Sequence, residues 1–119
     1  MLQAMAEHTL QAAFTDHGFA NESERGVMDT KRVWWVQAEA LLGFLNAWQR
    51  TGEERYRQAA LTQWRYIRDV LVDHRDGSEW YWYIREDGTP GDLPIVEPWK
   101  CPYHNGRMAL EVLRRDPQI

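Results

Sequence analysis

The sequence predicts an all-α domain of antiparallel helical hairpins, interrupted by one short aromatic ribbon. Three observations carry this. Apolar residues recur at helical spacing from Trp34 to Trp48 and again from Tyr56 to Leu71. Only Thr51-Gly52 and the acidic pair Glu53-Glu54 separate the two stripes, so the helices must turn back on each other. Glu79-Trp80-Tyr81-Trp82-Tyr83-Ile84 then breaks the helical pattern with a run of strand formers.

A first helix is expected over residues 2–17, where Leu2, Ala6, Leu10, Ala13 and Phe14 share a face and Gly18 supplies a stop. Residues 19–30 are polar and read as an irregular loop. The second helix, 31–50, is the clearest. Trp34, Ala38, Leu41, Leu45 and Trp48 form one continuous stripe, with Trp35, Glu39 and Leu42 on a neighbouring face. The third helix, 53–74, carries Tyr56, Ala60, Trp64, Ile67 and Leu71. Residues 79–101 read as a short strand and then a long loop. Asp87-Gly88 marks a turn, and Pro90, Pro94 and Pro98 oppose a regular return strand. A fourth helix is expected from Pro102, at its first position, to about Arg115, with Pro117 beyond its end.

Composition narrows the function classes. At 119 residues the chain holds one domain at most, and a net charge of -4 without a basic cluster opposes a nucleic-acid surface. Apolar runs are too short to span a membrane, and the N-terminus lacks the pattern of a signal peptide. The single cysteine, Cys101, excludes an internal disulfide framework. A cytoplasmic location is expected. His8, His17, His74 and His104 show no metal-ligand spacing, and no glycine-rich phosphate loop is present, so neither metal nor cofactor is expected.

The chemistry concentrates in Trp99-Lys100-Cys101-Pro102-Tyr103-His104-Asn105-Gly106-Arg107. His104 falls in the first turn of a helix, whose partial positive charge disfavours imidazolium and so suits a general base. A hydrogen-bonded structural histidine is the competing account. Trp35 and Glu39, one turn apart, pair a stacking surface with a carboxylate, as sugar sites do; an amphipathic helix surface would look the same. Arg107 and Glu111, at i and i+4, read as a surface ion pair, with an Arg107 that orders the site near His104 as the alternative. Cys101 has no orienting group or oxyanion hole in view and reads as a bystander.

At these residues the chain resembles the N-acylglucosamine 2-epimerase and cellobiose 2-epimerase family. Lys31 through Ala40 is similar to the family's tryptophan-pair helix. Thr51-Gly52-Glu53 and Trp64 match its next hairpin, and Gly77-Ser78-Glu79-Trp80 with Asp87-Gly88 its aromatic ribbon. Trp99 through Arg107 is similar to its C-terminal histidine motif, in the form of the cellobiose 2-epimerase branch.

The resemblance implies part of an (α/α)6 barrel: one partial domain over 1–119, corresponding to the C-terminal third of such proteins. It implies cofactor-independent epimerisation at C2 of a reducing sugar, with His104 as one of two acid/base histidines. Trp35 and Trp99 would sandwich the sugar, and Glu39 would stand near it. The family's other histidine lies in an upstream motif that has no counterpart here. The chain alone is therefore expected to turn over little or nothing, whether it is a truncated product, a split half or a fragment. Its open inner faces imply self-association or pairing with a missing N-terminal part. N-acylglucosamine 2-epimerase, aldose–ketose isomerase, and a non-catalytic sugar-binding or helical interaction module are the alternative functions.

Overall fold

The computed structural model describes residues 2–115, and the expected stop at Pro117 lies outside the described residues. Four helices dominate: α1 (Leu2–Ala12), α2 (Trp34–Thr51), α3 (Glu54–Tyr66, continued by a π-helical turn over Ile67–Leu71) and α4 (Tyr103–Arg115). Three two-stranded antiparallel pairs join them, where the sequence suggests one ribbon. These are β1 (Phe14–Thr15) with β2 (Gly18–Phe19), β3 (Glu22–Glu24) with β4 (Val27–Asp29), and β5 (Arg32–Val33) with β6 (Tyr83–Ile84). No helix among the described residues is long and apolar enough to cross a membrane.

The centre is α2. Trp34, Gln37, Ala38, Leu41, Leu42, Phe44, Leu45 and Ala47 are all buried along it, a wider stripe than a single contact face needs. Helix α3 returns along one side and buries Tyr56, Ala59, Ala60, Gln63 and Tyr66. The turn closes where the Gly52 N–H donates to the Trp48 carbonyl at 2.7 Å. This α2–α3 hairpin is as the stripes predict. Helix α3 ends earlier than expected, at a wide turn in which the Val72 N–H reaches the Ile67 carbonyl at 2.9 Å. That turn lets Ile67 and Leu71 stay fully buried while the chain leaves in an extended form.

Residues 13–33 depart most from expectation. Helix α1 stops at Ala12, and Gly18 is not its stop but part of β2. The 19–30 stretch is an ordered hairpin rather than an irregular loop. Glu24 pairs with Val27 across Arg25 and Gly26, whose φ angles of 50° and 80° give the two-residue turn that matches strand twist. β3 is polar and β4 leaves Val27 and Met28 exposed, so no alternation signals them.

One buried side chain ties this segment to the helices. The Gln37 Oε1 accepts the Phe19 N–H at 2.8 Å and the Gln63 Nε2 at 3.0 Å. Its Nε2 donates to the Phe19 carbonyl at 2.9 Å. A glutamine that completes the backbone bonding of β2 and meets a second glutamine on α3 joins three elements with no unpaired atom of its own. The aromatic ribbon is pinned between helices in the same way. The Tyr81 N–H donates to the Leu71 carbonyl, and the Trp34 N–H to the Trp82 carbonyl. Its return is a single bridge from Ile84 to Pro90, not a regular strand, as the prolines imply.

Gly18 has φ +85°, and a Cβ there would lie 2.7 Å from the Tyr66 ring and 2.8 Å from the Gln37 Oε1. Gln37 cannot give way without breaking its buried bonds, and Tyr66 is itself buried in the core. Gly18→Ala is expected to lower stability by about 2–4 kcal/mol, from left-handed strain and overpacking together, as read by urea denaturation.

Candidate active site

Helix α4 opens with the chain turning in at Pro102, whose carbonyl accepts the Gly106 N–H at 2.9 Å. Pro102 therefore stands just before the helix, one residue earlier in role than expected, and His104 lies in the first turn as the sequence implies. Only Met108 on α4 is buried, so packing alone seats this helix weakly. Polar contacts to α2 supplement it.

Arg115 Nη1 donates to Gln49 Oε1 at 3.2 Å near the far end of α4, and Glu39 makes the contacts at its start. The Glu39 Oε1 accepts from His104 Nδ1 at 2.8 Å, and its Oε2 accepts from Arg107 Nη2. Arg107 thus crosses to α2 instead of pairing with Glu111, the i, i+4 pair suggested by sequence. Glu111 is taken by Arg114 and Arg115. Trp35, one turn before Glu39, lies against the imidazole with ring centroids 5.8 Å apart. Trp34 meets the same ring edge-on at 5.4 Å, and Tyr103 at 5.0 Å. Trp34 is fully buried and acts as floor, whereas Trp35 is 42% exposed.

His104, Glu39 and Trp35, three of the four residues singled out in the sequence, are therefore in mutual reach. The fourth, Trp99, stands 86% exposed at the approach to α4. Cys101 is exposed and unbonded to any cysteine. His74 is occupied elsewhere, its Nε2 bonded to the Arg68 carbonyl, and His17 is exposed. An open groove of about 760 Å³ runs along α1 and α2; Glu39 is among its lining residues and His104 is not.

The electrostatics follow from the pairing. Burial pushes the Glu39 carboxyl up, but hydrogen bonds from Arg107 and His104 outweigh it and hold the group below its ordinary 4.5. An ionised Glu39 can only accept, so the proton of the facing imidazole nitrogen must sit on Nδ1. In the neutral ring the free lone pair is then on Nε2, which has no hydrogen-bond partner among the described residues. The site can take a proton at Nε2 while Glu39 stabilises the imidazolium that forms.

A second polar cluster braces the same turn, and sequence reasoning missed it. Glu79, in the ribbon, accepts from Lys100 Nζ and Asn105 Nδ2, and from the Trp80 N–H at 2.9 Å. Lys100 is fully buried. The one signal in the sequence was a lysine enclosed by Trp99 and Cys101-Pro102-Tyr103, where a solvated cation has no reason to be.

Helical hairpins thus seat a carboxylate-oriented imidazole beside an exposed indole. The chain belongs to the N-acylglucosamine 2-epimerase (GlcNAc 2-epimerase) family, whose profile matches residues 4–106. It is 50% identical over 115 residues to the cellobiose 2-epimerase of Eubacterium cellulosolvens, covering 97% of this chain and 28% of that protein. Among solved structures, a sugar epimerase from a ruminal bacterium superposes with a TM-score of 0.94 at 42% identity, covering 98% of this chain and 30% of that one. The cellobiose 2-epimerase of Bacillus thermoamylovorans B4167 gives a TM-score of 0.90 at 41% identity, over 95% of this chain and 29% of that one. The chain thus spans under a third of the length of these relatives.

The Glu39 shift has a consequence for stability. The folded carboxyl titrates below the ordinary value, so the unfolded chain takes up the proton first as pH falls. The contribution of Glu39 is complete above the unfolded value and is lost as pH drops through the folded one. Between about pH 7 and about pH 3, Glu39→Gln is expected to lose less stability than the wild type in urea melts.

Proposed function

We propose that the chain is the C-terminal part of a sugar 2-epimerase of the cellobiose 2-epimerase type. It would form a single partial domain over 1–119, one segment of an (α/α)6 barrel. The observation that carries the reading is the Glu39–His104 bond, which leaves Nε2 as the available base. The substrate is a reducing-end aldose in its open-chain form, where the C2 proton is acidified by the C1 aldehyde. His104 Nε2 removes that proton, the C–H electron pair forms the C1–C2 double bond as the C1=O π pair moves onto O1, and an enediolate results. A proton delivered to the opposite face of C2 gives the epimer, glucose to mannose at the reducing end.

Supporting this role, the His104, Glu39 and Arg107 side chains are 32%, 33% and 39% exposed, open enough to meet a solute. Trp35 and Trp99 offer the exposed indole faces that would sandwich the ring. Glu39 acts mainly on His104, because both of its oxygens are already engaged. This chain spans 28% of the length of its Eubacterium cellulosolvens relative, and the acid for the opposite face would come from the remainder of such an enzyme.

Proton NMR of cellobiose in deuterium oxide with the isolated chain tests this. Deuterium is expected to enter C2 slowly with no mannose-type epimer, and His104→Ala is expected to slow that exchange by about 10²–10⁴-fold. Epimer formation that survives His104→Ala would refute the role of His104. Epimer formation that His104→Ala abolishes would refute the need for an outside acid.

A further inference from the structure

The Lys100–Glu79 pair is costly to place where it is. The Lys100 side chain is 0% exposed, and a buried ammonium is destabilising unless every proton finds a partner. Here its Nζ donates to Glu79 and to the Ile95 carbonyl at 2.5 Å, and stands 5.2 Å from the centroid of the Trp34 ring. A methionine would fill the same space without the desolvation penalty. The charge therefore needs a reason beyond packing.

Both partners of the pair lead to His104. Glu79 accepts from Lys100 with one oxygen and from Asn105 with the other, and Asn105 adjoins His104 in the first turn of α4. Trp34, which carries the ammonium against its ring, meets the imidazole edge-on. The Lys100 backbone is fastened as well, exchanging hydrogen bonds with Glu97 at 2.9 and 3.1 Å. The Glu97 side chain in turn accepts from Trp82 Nε1 at 3.0 Å. A long loop is thus tied to the ribbon and to the helix it delivers, at the residues either side of the catalytic turn.

We infer that Lys100 is a positioning residue: its buried ion pair with Glu79, acting through Asn105 and Trp34, sets the His104 ring against Glu39. The inference rests on His104 being the functional group of the proposed site, but it concerns the orientation of the ring and not turnover. Losing the brace lets the first turn of α4 shift, and the Nδ1–H bond to Glu39 loosens.

Long-range nitrogen–proton NMR of the isolated chain reads the tautomer of His104 directly and needs no catalysis. The wild type is expected to show one tautomer, with the proton on Nδ1. Lys100→Met is expected to give a mixture of both forms in a chain that keeps its remaining amide spectrum. Asn105→Ala, which cuts the link while leaving the ion pair whole, is expected to do the same, and it decides the matter if Lys100→Met does not fold. A folded Lys100→Met or an Asn105→Ala chain that retains the single wild-type tautomer would overturn the inference. A failure of His104 to support C2 exchange, with these tautomer changes present, would instead count against the proposed function.

Discussion

The orientation of α4 on α2 rests first on one carboxylate, Glu39. Met108 is the only buried residue of that helix, and burying one such side chain contributes about 1.5–3 kcal/mol. Two charge-assisted bonds to Glu39 are of similar size before solvent screening trims them. Apolar contact therefore brings α4 to α2, but the Glu39 clasp decides its rotation. That rotation places the His104 ring beside Trp35 rather than in solvent. The His104 imidazole is held by the same bond that helps hold the helix.

Helix α2 supports this by carrying different polar duties on different faces. Gln37 completes the backbone bonding of β2 and meets Gln63 on α3. Glu39, two residues on, faces α4. Between them the wide apolar stripe fills the core. The arrangement makes α2 a reference against which the hairpins, the ribbon and the first turn of α4 are all registered. The ribbon is fixed at the start of α2 by the Trp34–Trp82 bond, and Glu79 in that ribbon reaches the start of α4. The loop from 85 to 102 can then be long without leaving its last residues free.

How much of this was legible in the sequence varies with the physics of each part. The α2–α3 hairpin was, because helical periodicity is strong over many residues and Thr51-Gly52 ends it. His104, Trp35 and Glu39 were legible as candidates from residue type and spacing, and the fold brings them together. The β1–β2 and β3–β4 hairpins were not. Strands of two or three residues hold no period, and the Arg25-Gly26 turn lacks the asparagine or aspartate that usually marks its type. Of the two readings of Arg107, the pair with Glu111 was favoured because a helix offers it at i, i+4, and only tertiary placement selects Glu39 beside His104. The Lys100–Glu79–Asn105 brace joins residues 21 and 26 positions apart, a separation on which local pattern is silent.

Family membership and the site describe the same molecule from two directions. The relatives fix the family, while the geometry shows an oriented imidazole, an indole face and the frame that holds them. The central claim is that Glu39 fixes the proton of His104 on Nδ1 and leaves Nε2 to act. The most direct measurement is the His104 tautomer in the wild-type chain at a pH where the ring is neutral, by long-range nitrogen–proton NMR. A single form protonated on Nδ1 is the expected result. A ring protonated on Nε2 would contradict the account, because the nitrogen assigned to take the substrate proton would already carry one.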